Sequence, residues 1–268
     1  LRVGPARELV HPGQALALRV DAFDASGAAT SVATYQVSID GSATFADGML
    51  QIGDDAANKV LTVTVTSGDA TGVCKFRVVP PLPWHYDFAD GVLPATWVGT
   101  AARHRPFVLD GEKCLVKVST IPKGTRSQSW LGPDDLHDYT IQADFHATRV
   151  DNRLPDMGVI NSRYSLALLG AGQLQIRSWV SRLEQRFAVT MPFEWQDGVW
   201  YTMKFRSEVL EDRIVLQGKV WPRDESEPAA WTIVGEDLTP NRNGSPGIHG
   251  VSAPSEFHLD NIRVVPND

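Results

Sequence analysis

Three runs decide the fold: YTIQADFHA (139–147), QLQIRSW (173–179) and IVLQGKVW (214–221). In the first, Tyr139, Ile141, Ala143, Phe145 and Ala147 fall on one side, and Gln142, Asp144 and His146 on the other. The second sets Leu174 and Ile176 against Gln173, Gln175, Arg177 and Trp179. The third sets Ile214, Leu216, Gly218 and Val220 against Gln217, Lys219 and Trp221. Alternation with period two marks the half-buried antiparallel strand. The polar sides of these strands bear amides and charged groups, and two of the three end in tryptophan, which makes them the first place to look for function.

Working outward, further strand candidates lie at 115–118, 128–131, 157–162, 164–169, 185–190, 199–207, 229–234 and 256–265. About ten strands without an amphipathic helix predict a two-sheet jelly roll over 84–268. The run 134–138 (DDLHD) has room for one helical turn at most. Upstream, Pro80-Pro81-Leu82-Pro83 reads as a stiff linker over 80–83, because proline fixes φ and cannot donate to a ladder. Residues 1–79 carry short β-rich runs at 15–22, 34–40, 59–67 and 72–79, separated by turn sequences such as HPGQ and SGDATG. That spacing predicts a small β-sandwich. The fold class expected is all-β throughout.

Two families enter on particular residues. VHPGQALALRVDAFDASG (10–27), the DG-x-L turn at 47–50 and a closing strand ending FRVV resemble bacterial Ig-like domains, which implies a spacer module over 1–79. YDFADG (86–91), DYTIQADF (138–145), YSLALLGAGQLQIRSW (164–179), DGVWYTMKFRSE (197–208) and FHLDNIRV (257–264) resemble the concanavalin A-like (laminin-G-like) jelly roll. The order of the two modules is similar to the C-terminal region of secreted bacterial proteins with pyrroloquinoline-quinone-like propeller repeats. No such repeat lies in this chain, so the quinone does not transfer to it.

The 268 residues are 43% hydrophobic and 21% charged, enough to bury a core. A net charge of −7 with no basic cluster argues against a nucleic-acid partner. No apolar run approaches the ~18 residues of a membrane span. The chain opens at Leu1 without a leader pattern, which reads as a mature C-terminal piece of a secreted or cell-envelope protein. Cys74 and Cys114 sit in alternating runs and read as buried thiols; a disulfide between the modules is the other reading.

If the alternating strands are neighbours, His146, Gln175, Arg177, Trp179, Lys204, Gln217, Lys219 and Trp221 share one surface, with Arg163 at a strand entrance. Amides and cations suit sugar hydroxyls, and an indole suits the C–H face of a pyranose. The same residues also fit a plain solvated face with weak ion pairs, or tryptophans packed over a sheet edge. Asp87 and Asp90 near the start of the jelly roll, with Asp260 near its end, suit a structural Ca²⁺ clip, because first and last strands often pair. Their other reading is turn and strand-end aspartates.

Catalytic signals are thin. The E-x-D-x-E run of concanavalin-like glycosidases is absent, and Glu208, Glu211, Asp212, Glu225 and Glu227 read as loop carboxylates. Asp144 with His146, on one strand face, is the one candidate pair. LLGAGQL (168–174) lacks a G-x-G-x-x-G pattern and reads as a hairpin. RHRPF (103–107) reads as a basic loop. The leading expectation is therefore a non-catalytic accessory region in which Trp179 and Trp221 stack on a glycan. A glycoside hydrolase or lyase on the same fold is the second expectation. A module docking onto another domain of its parent protein is the third.

Overall fold

A computed structural model describes residues 1–6, 8–32, 34–101, 103–119, 126–179, 184–252 and 255–268. None of them is helical, and none forms a helix long and apolar enough to cross a membrane. The chain forms two compact units: Leu1–Pro81 with Pro94–Thr96, and Leu82–Leu93 with Trp97–Asp268.

The first unit has three small sheets. Its largest orders Leu9–Val10, Ala70–Val78, Val60–Ser67 and Gln36–Asp40. Val60–Ser67 and Ala70–Val78 pair antiparallel around Gly68 at φ 56°, a conformation glycine adopts without a Cβ clash. The alternation of LTVTV sends Leu61, Val63 and Val65 into a core shared with Leu50, Ile52, Phe76 and Val78. Cys74 is a free buried thiol of this core, and Cys114 a free buried thiol of the second unit.

The second unit is a sandwich of two antiparallel sheets. The larger orders His104–Leu109, Glu112–Lys117, Phe257–Pro266, Tyr139–Ala147, Trp200–Val209, Ile214–Pro222 and Ile233–Asp237, and Trp84–Tyr86 also pairs with Phe257–Pro266. The smaller orders Arg126–Trp130, Gly247–Val251, Asp156–Asn161, Tyr164–Leu169, Gln173–Trp179 and Gln185–Pro192. The apolar sides of the alternating runs face one another and are fully buried: Ile141, Phe145, Leu166, Leu168, Leu174 and Ile176. Gly218 is required where the sheets meet, because a Cβ there would stand 2.6 Å from Leu166 Cδ1. The expected all-β jelly-roll architecture is what this unit adopts.

Local expectations are in part corrected and in part met. RHRPF is not a loop: His104–Leu109 is an edge strand, and Pro106 is tolerated because an edge strand need not donate on both sides. The 134–138 run, given room for one helical turn at most, contains no helix, in keeping with that bound. Gly247–Val251 is a strand that no alternation announces, since two of its five residues are glycine. Trp84–Tyr86 pairs with Phe257–Pro266, so the first and last strands of the unit lie side by side.

Candidate functional site

Strand order splits the expected polar surface in two. His146, Lys204, Gln217, Lys219 and Trp221 lie on the outward face of the larger sheet, opposite its buried side. Gln175, Arg177 and Trp179 lie on the outward face of the smaller sheet, on the far side of the sandwich. The single shared surface therefore does not form, because Gln173–Trp179 pairs with Tyr164–Leu169 and Gln185–Pro192 and never with Tyr139–Ala147. Arg163 sits exposed at a hairpin turn, φ 68°, where its carbonyl accepts from Ser178 Oγ.

On the larger sheet, most of the expected residues are already engaged. Lys204 Nζ and Lys219 Nζ both reach Glu227, at 3.0 and 2.9 Å, and Lys219 also donates to the Pro228 carbonyl. Lys219 Nζ lies 4.7 Å from the Trp231 ring centre. These contacts tie the loop after Pro222 down over the sheet. Trp221 is only 8% exposed and presents little ring area to solvent.

The unexpected feature of this face is a row of acids. Asp260 stands opposite Asp144, and Asp144 opposite Thr202. Directly opposed positions bring Cβ atoms to about 5 Å. Asp144 and Asp260 are 4% and 3% exposed, although both point outward from the sandwich core. A bulge at Asn261, φ 50°, turns its amide toward the row. Asn261 Nδ2 donates to Asp144 Oδ2 at 2.9 Å, and Thr202 Oγ1 donates to Asp144 Oδ1 at 2.7 Å.

Asp260 lacks such support: its Oδ1 is buried without a hydrogen-bond partner. Burial raises its pKa to about 7, and the neighbouring Glu112 and Asp144 carboxyls push the same way against an opposing contact from the Asn261 backbone. Burial also raises Asp144, with the Thr202 and Asn261 donors opposing. Both opposed aspartates are thus pushed toward the protonated form, Asp260 to a pKa of about 7 and Asp144 against two side-chain donors that favour its charged form.

A second row runs beside the first. Ring centres of Phe107 and His258 are 5.1 Å apart, His258 and His146 5.7 Å, and His146 and Trp200 5.3 Å. Burial lowers the pKa of both histidines, so both are neutral imidazoles near pH 7. Arg223 Cζ lies 4.6 Å from the Trp200 ring centre, and its two Nη atoms reach the two carboxylate oxygens of Glu112 at 2.8 and 3.0 Å. This bidentate pair crosses the three strands that separate its partners and roofs the acids from one side. The arrangement sets two carboxyls of raised pKa beside an aromatic row on one outward face.

The Ca²⁺ expectation gains no support. Asp87 and Asp90 each accept from the backbone two residues on, Ala89 N and Val92 N, as turn aspartates do. Among the described residues no three histidine, cysteine or acid side chains converge so as to hold a metal ion. Asp260 instead belongs to the acid row. Sequence reasoning paired Asp144 with His146 and missed Asp260 and Glu112 as its neighbours, because register across three strands brings them together.

No protein-family model and no curated protein matches this chain. Solved structures with a similar layout exist. One is described under endo-acting O-glycanases that prominent members of the human gut microbiota express to initiate mucin breakdown (10% identity, 69% of this chain and 99% of that one, TM-score 0.43). Another is the lectin UEA-II complexed with galactose (11% identity, 70% and 99%, TM-score 0.41). A third is SCLam, a non-specific endo-β-1,3(4)-glucanase from family GH16 (11% identity, 68% and 89%, TM-score 0.38). At these scores the likenesses assign no residue and no activity to this chain.

Proposed function

We propose that the second unit recognises carbohydrate on the outward face of its larger sheet, as the binding part of a secreted or cell-envelope protein. One observation carries this: three buried polar atoms on that face, Asp260 Oδ1, His146 Nδ1 and His258 Nδ1, have no hydrogen-bond partner and lie beside an aromatic row. Unpaired buried polar atoms cost roughly 1–3 kcal/mol each, so a ligand that pairs them gains that much in return. A sugar hydroxyl donates and accepts at once, and a pyranose C–H face packs on rings such as Trp200. The Glu112–Arg223 pair borders the acids, and both side chains are partly exposed.

A second reading, hydrolysis of a glycosidic bond, is supported by one further observation. Asp260 keeps a proton to about pH 7 directly opposite Asp144. Glycoside hydrolysis needs one protonated and one ionised carboxyl flanking the bond.

Calorimetric titration of the full chain with a panel of neutral polysaccharides tests the first reading. Saturable heat that falls at least tenfold in affinity in His146→Ala supports it; absence of heat across the panel overturns it. Reducing-end release from the same panel, lost in Asp260→Asn, supports the second reading. Release at blank level with binding intact removes it and leaves recognition alone.

A further inference from the structure

The outward face of the smaller sheet holds a half-buried cation with an unpartnered donor. Arg177 is half-buried; burial and the repulsion of Arg126 oppose its charge, and the nearby Asp156 carboxylate favours it but makes no direct ion pair with it among the described residues. Its Nη1 donates to Gln175 Oε1 at 3.1 Å and its Nη2 to His249 Nε2 at 2.9 Å. Its Nε is buried without a partner. A guanidinium has no lone pair to offer, so His249 Nε2 is the acceptor and the ring proton sits on Nδ1. That Nδ1 is also buried and unpartnered, in a side chain only 5% exposed. Burial, with Arg177 and Arg126 beside it, holds His249 at about 3, so it supplies no second positive charge.

The reach between the two side chains is unusual. Gly247–Val251 and Gln173–Trp179 are separated by two strands, three spacings or about 14 Å at ~4.8 Å each. The row joining them reads His249, Gly158, Ala167, Gln175. Nothing larger than a methyl group stands in that row, and Arg177, one row along, reaches His249 past it. Arg126 stands on the edge strand at the His249 end. Trp179, 39% exposed, lies at the other end, with Arg177 Cζ 5.9 Å from its ring centre.

We propose that this face is a second carbohydrate site, selective for a sugar that bears a carboxylate, a uronate. The planar fork of Arg177 matches a carboxylate, with Arg126 as a supplementary cation, and Trp179 offers its ring to the C–H face of the pyranose. A half-buried guanidinium with an unpaired Nε is costly, and an incoming carboxylate pairs it with a full charge-assisted hydrogen bond where a neutral sugar does not, Asp156 being the acid on the protein that such a ligand must outweigh. The site is on the opposite side of the sandwich from the acid row, whose carboxylates would repel such a ligand.

The test titrates the full chain with an oligogalacturonate, with its methyl ester and with a neutral oligosaccharide of equal length, by calorimetry and tryptophan fluorescence. Expected are saturable binding of the oligogalacturonate, at least tenfold weaker binding of its methyl ester, weakening with added salt, and at least tenfold loss in Arg177→Met and in Trp179→Ala. Asp260→Asn, on the other face, leaves this binding unchanged. No binding to the wild-type chain, equal binding of acid and ester, or full retention in a folded Arg177→Met overturns the proposal. Loss in Asp260→Asn assigns the ligand to the acid row and overturns it as well. The ester comparison needs no variant, so a misfolded Arg177→Met leaves the test intact. Failure of neutral glycans at the acid row leaves this inference standing, and the converse holds too.

Discussion

Replacing Asp260 by asparagine removes the group on the acid row whose proton is held furthest outside the carboxylate range. Its pKa is 3.8 in an unstructured chain and about 7 in the fold, raised by burial and by Glu112 and Asp144 alongside. Between those two values the folded chain holds a proton that the unfolded chain has released. The stability this site contributes is therefore complete below about pH 4 and lost as pH rises toward 7. About three pKa units at ~1.4 kcal/mol each is about 4 kcal/mol, a large part of a domain's stability. Asparagine keeps the shape and cannot ionise, so the variant escapes this loss. Its amide can also donate toward Glu112. All eight tryptophans lie in the second unit, so tryptophan fluorescence in urea reports that unit alone. At about pH 4.5 wild type and Asp260→Asn should unfold at similar urea concentrations, and at about pH 8 the variant should be the more stable by several kcal/mol. Parallel loss of stability by the two proteins over that range would refute the reasoning, because it would mean that Asp260 ionises in the fold as freely as outside it.

Other perturbations reach different parts of the molecule. Gly218→Ala drives a Cβ against Leu166 and Ile233 between the sheets and should cost roughly 1–3 kcal/mol by urea unfolding; an unchanged midpoint would show that the sheets slide apart there. Asp237→Asn leaves the largely buried Arg186, now 2.6 Å from its carboxylate, without a counter-charge and weakens the Tyr164 hydroxyl bond, for a loss of roughly 3–5 kcal/mol. Thr202→Val removes one of two side-chain donors to Asp144, costs about 1–2 kcal/mol, and raises the Asp144 pKa further, which carboxyl-carbon NMR titration reads directly.

The strands themselves were largely legible. Tyr139–Ala147 and Gln173–Trp179 occupy the same residues as the alternating runs, because one-sided burial writes period two into a sequence. Ile214–Pro222 adds one residue to its run. What failed to read were strands whose side chains do not alternate. Gly247–Val251 carries glycine where Phe257 presses on one residue and the Ser129 backbone on another, so close packing erased the pattern that would have announced it. His104–Leu109 is exposed along most of its length, and exposure, unlike half-burial, leaves no period.

The site was legible only as far as one strand reaches. Alternation shows which residues share a face of a strand and is silent on which sheet the strand joins; Arg177 and His146 were both on polar faces and end on opposite sides of the sandwich. The acid row is harder still. Glu112, Asp144 and Asp260 come from strands far apart in the chain, and none sits in a catalytic motif. Asp260 drew notice only as a partner for Asp87 and Asp90, on the correct premise that first and last strands pair. That premise places Tyr86 opposite Ile262, yet the bulge at Asn261 and the register with Tyr139–Ala147 commit Asp260 to Asp144 instead. An outward face of a sandwich is where a carboxylate can ordinarily stay hydrated at no cost. Two aspartates placed there and then buried, one with side-chain donors and one with an oxygen that has no partner, bear a desolvation cost that their own hydrogen bonds offset only in part. That asymmetry, invisible in composition or periodicity, is the strongest physical ground for looking for the function on this sheet.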